Sequence, residues 1–323
     1  MTKAIRIHST GGPDVLKWEQ ISTPNPGPHE ALIRHEAVGL NFIDVYFRNG
    51  LYKTALPATI GMEGAGVVEA VGEAVSHVAP GDRVAYAGGP LGAYATHRVI
   101  PADRLVKLPE GISSQTAAAM MLQGMTAQFL LHRTFKVQKG QPLLVHAAAG
   151  GVGLIMCQWA AHLGAEVIGV VSTEAKAELA RANGAAHVII GHANLAAEVK
   201  RITGGAMVPV VYDGVGKDTF NASLDCLAPF GLMVSFGNAS GPVPPVDISI
   251  LNAKGSLYLT RPGFATYTAN PVDLNAAAQG LFAAVLSGAI KIQVNQTFPL
   301  AEAAAAHAAL EARQTTGSSV LLP

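Results

Sequence analysis

Three glycines within four residues, Gly150, Gly151 and Gly153, constrain this chain more than any other stretch. The run Ala147-Ala148-Ala149-Gly150-Gly151-Val152-Gly153 follows a short apolar segment, 142–147, and leads into a stretch of helical character at 151–163. A Gly-rich turn between a strand and a helix is the context a dinucleotide-binding fingerprint requires. Glycines let the chain turn tightly and let a pyrophosphate approach the backbone, and a third lets helix and sheet pack closely. The unpaired N–H groups and positive dipole end at the helix start then favour phosphate. On its own a glycine cluster would only mark the end of a strand; the flanking elements decide for the phosphate reading.

The pattern around the turn continues. A strand candidate at 166–171 is followed by an amphipathic run at 174–183, and further strand candidates lie at 187–190, 208–212, 231–236 and 256–260. Strands alternating with helices predict a parallel, doubly wound sheet. Residues 1–110 read differently. Short apolar runs at 31–38, 64–71, 83–86 and 94–100 are separated by clusters such as Pro24-Asn25-Pro26-Gly27-Pro28, which suggests an antiparallel barrel or sandwich. An Ala/Leu/Met-rich stretch without proline predicts a helix over about 115–133. After Pro262 the expected order is a helix at 272–287, a strand near 290–298, a helix at 300–312 and a last strand at 319–322. With 323 residues the chain can support two domains with separate cores.

Composition narrows the function classes. Lys plus Arg and Asp plus Glu both total 22, so no net charge draws the chain to nucleic acid or anionic membrane, and no Lys/Arg run marks a local patch. No stretch reaches the roughly 18 uninterrupted apolar residues of a membrane span. Residues 117–131 come nearest and are interrupted by Gln123, Thr126 and Gln128. The N-terminal residues alternate instead of forming an apolar signal core. Two cysteines, Cys157 and Cys226, are too few for a disulfide framework in a chain this long. A cytoplasmic protein is expected.

The form of the dinucleotide follows from the second strand. NAD sites place Asp or Glu at the end of that strand, about 20 residues beyond the turn, to bind the ribose 2′-hydroxyl. Here the strand Glu166-Val167-Ile168-Gly169-Val170-Val171 ends in Ser172-Thr173, and its one carboxylate is at its start. Nothing at the strand end would repel a 2′-phosphate. Lys176 could supply a positive charge there, or be an ordinary helix lysine. NADPH is therefore the expected cofactor.

With these features in place, the chain resembles the quinone oxidoreductase (zeta-crystallin-like) family of zinc-free medium-chain dehydrogenase/reductases, bacterial NADPH-dependent members above all. The likeness rests on Gly140-Gln141 through Gln158 around the turn, with Gly11-Gly12-Pro13, Asn41-Phe42-Ile43-Asp44, Gly50-Leu51-Tyr52, Gly81-Asp82-Arg83-Val84 and Gly92-Ala93-Tyr94 before it. It continues through Gln123-Gly124-Met125-Thr126, Val211-Tyr212-Asp213, Phe236-Gly237-Asn238 and Gly317-Ser318-Ser319. The resemblance implies a GroES-like β-barrel catalytic domain over 1–125, completed by 263–323. A Rossmann coenzyme domain over 126–262 would lie between these segments, with the active site in the cleft. It also implies a homodimer joined through the coenzyme domains, for which 256–260 could supply an edge strand.

The same resemblance assigns residues. Asn41 and Thr126 would lie near the nicotinamide, and Gly150, Gly151, Val152 and Gly153 would hold the pyrophosphate. Ser172, Lys176 and Arg313 would contact the adenosine ribose and its 2′-phosphate. Phe236, Gly237 and Asn238 would line the nicotinamide half. There are two departures. Ile190-Gly191-His192 stands where some relatives carry an Asn-Tyr pair, with His192 a substitute for the tyrosine. Ala161 stands where the family signature tends to end in Lys, Arg or Ser.

Zinc relatives in this superfamily need a Cys near the first cleft loop, a His-Glu pair and a later Cys, and a catalytic zinc takes three protein ligands. Here the loop reads Asn41-Phe42-Ile43-Asp44, and Gly61-Met62-Glu63 has methionine where the histidine would stand. None of the 11 histidines forms a His-x-x-x-His pair or a His/Cys cluster, so no metal site is expected and the histidines read as surface or structural residues. Glu63 is expected to pack or hydrogen-bond in the cleft.

Without a metal, catalysis reduces to holding a hydride donor against an electron-poor acceptor and donating hydrogen bonds to the developing oxyanion. Quinones suit such a site. Asn41, Tyr46 and Tyr52 are the polar candidates for the catalytic role, each tyrosine also being able to serve packing alone. Two alternatives stand beside quinone reduction: NADPH-dependent reduction of activated alkenes such as enones or enals, and a non-catalytic crystallin-like or RNA-binding role. No aromatic-and-basic stacking motif supports RNA.

Overall fold

The computed structural model describes residues 1–323, which form two compact units. Met1–Met125, Thr268–Leu286 and Ile292–Pro323 make the first; Thr126–Tyr267 with Ser287–Lys291 makes the second. No helix is long and apolar enough to cross a membrane.

The first unit is built mainly of antiparallel strands. They run β1 (Thr2–Ile7), β2 (Lys17–Ile21), β3 (Glu30–Leu40), β4 (Ala58–Thr59), β5 (Glu63–Val71), β6 (Arg83–Ala87), β7 (His97–Pro101) and β8 (Val106–Lys107). Helix α1 (Phe42–Arg48) follows β3, and α2 (Ser114–Ala118) and α3 (Met121–Phe129) follow β8. The second unit carries β9 (Pro142–His146), α4 (Gly151–His162), β10 (Glu166–Val171), α5 (Glu174–Ala182), β11 (His187–Ile190), α6 (Leu195–Ile202) and β12 (Val208–Asp213). It continues with α7 (Phe220–Leu224), β13 (Leu227–Ser235), α8 (Ser249–Ala253), β14 (Tyr258–Thr260) and α9 (Phe264–Tyr267). The chain then returns to the first unit as α10 (Pro271–Leu286), β15 (Val294–Pro299), α11 (Ala303–Glu311) and β16 (Ser318–Leu322).

Strand β3 organises the first unit. Its first half alternates between buried and outward residues, with Ala31 and Ile33 inside, as a strand with one face on the core must. From Ala37 to Leu40 every residue is buried, because α2 packs across β3 and β5 there. The sheet order is β15-β16-β3-β5-β6-β8, with β7 also on β3, and a smaller sheet runs β2-β1-β4. Ile5, Ile7, Ile33, Val38, Ile60, Val84, Ile100 and Leu321 fill the core between them.

The second unit is a six-stranded parallel sheet in the order β11-β10-β9-β12-β13-β14. Leu143, Leu144 and Val145 in β9 and Val167 and Ile168 in β10 are all buried, the continuous apolar run of strands covered on both faces. This is the doubly wound Rossmann arrangement, and the order reverses between β9 and β12. Ligands of such sheets bind outside the carboxyl ends of the strands at this reversal.

Two local expectations are corrected. The helix expected over 115–133 is interrupted at Ala119–Met120 and restarts as α3, which finishes in a wider turn over 130–134. The strand expected from 290 begins at Val294. The alternating, partly charged strands β1 and β2 and the short helices α1, α6 and α7 had no separate signal in the sequence.

Candidate functional site

In the second unit the turn after β9 has the geometry the glycines imply. Ala147 adopts φ 51°, and the Gly150 N–H donates back to Ala147 O at 2.8 Å. Gly150 is extended and caps α4 without any side-chain hydrogen bond, so the first N–H groups of the helix face outward from a bare backbone. Gly153 makes the turn possible: a Cβ there would stand 2.2 Å from Ala147 O and 2.8 Å from Ala148 Cα. Val152 follows Gly151 in the first helical turn. No side chain caps this helix start by a hydrogen bond, and the turn fits a pyrophosphate in that respect.

Ser172 follows β10 directly and is exposed, and Thr173 caps α5 by accepting from the Lys176 N–H at 3.3 Å. Lys176 is half-buried in the first turn of α5. Glu174 lies two residues beyond Ser172, but it gives its carboxylate to Arg181 at 2.9 Å. His192 is exposed just beyond β11, and Ala161 is half-buried in the last turn of α4.

Phe236, Gly237 and Asn238 follow β13. The N–H of Phe236 donates to Asp213 O at 2.8 Å, tying this loop to the end of β12. Gly237 has no room for a side chain, since a Cβ would lie 2.3 Å from Gly214 O. Arg261 supports the loop from beyond β14, donating to Ser235 O and Gly237 O and, in the orientation that satisfies both partners, to the Asn238 amide oxygen. Buried Asp213 takes N–H groups of Val215 and Gly216 on one oxygen and the hydroxyls of Thr219 and Ser223 on the other. Ser223 also meets buried His146, whose pKa is lowered chiefly by burial. Asp213 and Arg261 are thus the residues that shape this end of the sheet; Asp213 ended a family motif, whereas Arg261 had no signal in the sequence. Thr126 is half-buried in α3.

In the first unit, Asn41 to Asp44 is the capped start of α1, a correction to the loop expected there. In the capping box at this helix start the Asp44 carboxylate accepts, at 2.9 Å, the backbone N–H of Asn41. Its Nδ2 donates to Glu63 Oε2 at 2.7 Å, and its Oδ1 accepts from Gln123 Nε2 at 3.1 Å. Gln123 Oε1 in turn accepts from the Ser318 hydroxyl at 2.7 Å. The other Glu63 oxygen accepts the Leu122 backbone N–H at 2.8 Å. The break between α2 and α3 therefore has a purpose: an N–H at the start of α3 is released from helix bonding and given to Glu63. Gly39 keeps the space, since a Cβ there would sit 2.2 Å from Ala118 O and 2.4 Å from Glu63 Oε2.

Tyr46 is buried on α1 and Tyr52 half-buried on the loop beyond it, their rings edge to face at 5.3 Å. Arg313 lies at the end of α11 with φ 58° and is exposed.

A second buried chain fixes α1 from below. Arg48, 2% exposed, donates to Glu311 at 2.7 and 2.8 Å and to His307 Nδ1 at 3.2 Å. An arginine cannot accept, so the His307 proton is on Nε2, which faces the Tyr94 oxygen at 3.0 Å. The Tyr94 hydroxyl then donates to Asp44 Oδ2 at 3.1 Å. Burial pushes Asp44 up to about 7 and Glu63 up to about 8, and lowers His307 and His35 to about 3.

These shifts fix a stability profile. The histidines are neutral in the fold but take protons in the unfolded chain near 6.5, so their contribution is present above pH 6.5 and lost as pH falls towards 3. The two acids hold their protons in the fold up to about 7 and 8 but release them near 3.8 and 4.5 when unfolded. Their contribution is present below those lower values and lost as pH rises through the higher ones. Between pH 6.5 and 8 the acid loss outweighs the fading histidine gain, so stability should fall there, by on the order of 2 kcal/mol. Thermal midpoints measured at both ends of this window test it; a midpoint that rises with pH would contradict the buried neutral acids.

Comparison with known proteins follows the same division. Residues 27–110 match the alcohol dehydrogenase GroES-like domain, and 151–269 match the zinc-binding dehydrogenase family. The chain is 54% identical to a quinone oxidoreductase of Pseudomonas aeruginosa over 100% of both chains. It is 46% identical to a 2-haloacrylate reductase of Burkholderia sp over 100% of this chain and 99% of that one. The crystal structure of Escherichia coli quinone oxidoreductase complexed with NADPH superposes with a TM-score of 0.98 at 47% identity, covering 100% of both chains.

The residues present do not fit a zinc ion. No three His, Cys, Asp or Glu side chains come together as a ligand set. Both cysteines are buried in the second unit, where each thiol faces a backbone carbonyl, of Ala148 and of Ala222, and no ligand group gathers around either. Both oxygens of Glu63 are engaged by N–H donors.

Proposed function

We propose that this chain, which belongs to the quinone oxidoreductase family of the medium-chain dehydrogenase/reductases, catalyses the reduction of quinones by NADPH. The observation that carries the reading is the start of α4, uncapped by any side chain, after a glycine turn, in a chain that matches quinone oxidoreductases over its full length. When bound, NADPH supplies the hydride.

The chain's own residues then do the following. Gly150, Gly151, Val152 and Gly153 hold the pyrophosphate on backbone N–H groups. Ser172, Lys176 and Arg313 take the 2′-phosphate, supported by the absence of a free carboxylate at the end of β10. Thr126, Phe236, Gly237 and Asn238 line the nicotinamide half together with Asn41, whose amide orients it. Tyr46 and Tyr52 donate hydrogen bonds to the oxyanion that develops on the quinone, and solvent can supply the protons.

Lys176→Ala should weaken NADPH binding about tenfold, about 1–2 kcal/mol for a charge-assisted contact, and leave NADH binding nearly unchanged. Fluorescence titrations with both cofactors check this; equal losses would remove Lys176 from the phosphate site.

The assembly we propose is a homodimer of the cytoplasm, the two buried, unpaired cysteines being in keeping with that compartment. Strand β14 is an unpaired edge of its sheet, with Tyr258 61% and Leu259 39% exposed, and a second copy pairing there would cover it. Light scattering should give the mass of two chains, and of one for Leu259→Lys.

The activity test is NADPH oxidation by EDTA-treated protein with 1,4-benzoquinone, 9,10-phenanthrenequinone and an enone in parallel, with enzyme-free controls. Faster turnover of the quinones, retained after chelation, is expected. The likeness to a 2-haloacrylate reductase favours activated alkenes as the second reading, and preference for the enone would select it. Absence of NADPH-dependent turnover would overturn both.

A further inference from the structure

We infer that Glu63 is a positioning residue that sets the direction of the Glu63–Asn41–Gln123–Ser318 hydrogen-bond chain, and through it which edge of the Asn41 carboxamide acts as donor. The inference rests on the proposed role of Asn41 beside the nicotinamide. All four side chains are buried, and each link joins groups that can exchange roles.

In one sense, that of the distances above, Ser318 donates to Gln123 Oε1, Gln123 Nε2 donates to Asn41 Oδ1, and Asn41 Nδ2 donates to an ionised Glu63. A proton on the Glu63 oxygen that faces Asn41 reverses this sense, because that hydroxyl then donates to Asn41. Leu122 N–H already engages Oε1, which favours the proton on Oε2, facing Asn41. Asn41 then accepts on Oδ1 and donates from Nδ2 to Gln123 Oε1, and Gln123 Nε2 donates to the Ser318 oxygen. Two amide rotations and one hydroxyl rotation accompany the uptake of one solvent proton; no other bond changes. The second N–H and second lone pair of Asn41 thereby trade places.

Other groups around Glu63 leave it as the titrating switch of this chain. Asp44 on α1 opposes its ionisation, and Met121 and Leu122 on α3 favour it through their N–H groups. Tyr86 on β6 and Tyr94 beyond it are neutral phenols, both raised by burial. His35 on β3 is neutral and bonded to Tyr86. Two cations act on these phenols: Arg98 lies 4.9 Å over the Tyr86 ring, and Arg48 acts on Tyr94.

Glu63→Gln separates this role from a merely structural one. Leu122 N–H demands the amide oxygen of the new side chain, so its NH2 must face Asn41, and the chain is locked in the sense of protonated Glu63. Side-chain amide NMR of the cofactor-free protein, from about pH 6 to about pH 9, should show Asn41 and Gln123 shifting together in a single step. In Glu63→Gln both should stay at the low-pH positions of the wild type. The kcat/KM profile with NADPH and a quinone should carry the same step in the wild type and be flat in the variant.

Wild-type amides that do not titrate would overturn the inference, whether or not the variant folds. So would a step that survives in Glu63→Gln, which would assign it to Asp44, or a titrating network with pH-independent turnover. A wild type without quinone turnover overturns the parent reading, and that failure is seen independently of the amide titration.

Discussion

Gly153→Ala should reduce NADPH affinity by at least about a hundredfold, about 3 kcal/mol. The added Cβ would stand 2.2 Å from Ala147 O and 2.8 Å from Ala148 Cα. Both are backbone atoms of the turn, so no side chain can rotate away, and α4 must withdraw from the strand end. The N–H groups at its start then no longer converge on the place where phosphates would sit. Gly150→Ala provides the contrast. At φ −82° an alanine is unstrained, and its Cβ would meet Ala147 O at 3.2 Å, a contact that a small shift relieves. Isothermal titration of both variants with NADPH checks the order; equal affinity of Gly153→Ala and wild type would detach this turn from the cofactor.

Arg48→Met should destabilise the first unit by about 3 kcal/mol, in the range seen when one partner of a buried ion pair is removed. The guanidinium bonds Glu311, His307 and Gly11 O from an almost fully buried position. Methionine replaces the stem but none of the donors. His307 loses the bond that fixes its tautomer, and with it the ordered link through Tyr94 to Asp44. Glu311→Gln should also cost clearly more than a surface pair, since it keeps a hydrogen-bond acceptor but leaves a guanidinium that is 2% exposed without its carboxylate. Urea unfolding of the two variants distinguishes a buried hub from an ordinary surface pair; similar small losses for both would reduce Arg48 to packing.

Much of the second unit was readable because its strands are apolar on both faces and its turn needs glycine. Runs such as Leu143-Leu144-Val145 and the cluster Gly150 to Gly153 carry their reason in the residue types themselves. The first unit was less open to such reading. Helix α1 has only seven residues, too short for a period to show, and Asn41 reads equally as a strand end or a cap. The helix break at Ala119–Met120 has no Gly or Pro to announce it. Its cause is a carboxylate on β5 that takes the Leu122 N–H, a partner remote in sequence. Glu63 was expected to pack or to hydrogen-bond, and it hydrogen-bonds, but its link to Ser318 through Asn41 and Gln123 joins four distant segments and has no local pattern.

Strand β16 has one more consequence, for synthesis on the ribosome. It pairs with β3 along Ser319–Leu40 to Leu321–Val38, inside the larger sheet and not at its rim. The second unit is nearly contiguous and can close as it emerges, because all six of its strands lie between β9 and β14. The first unit cannot. Its early strands leave the exit tunnel with the Val38–Leu40 end of β3 unclaimed beyond the stretch that β7 takes, and this end must wait through the making of the entire second unit before residues 318–322 arrive. For that interval the nascent chain exposes a pairing edge to its neighbours on the same message, so the order of translation sets when this protein is most vulnerable to mispairing.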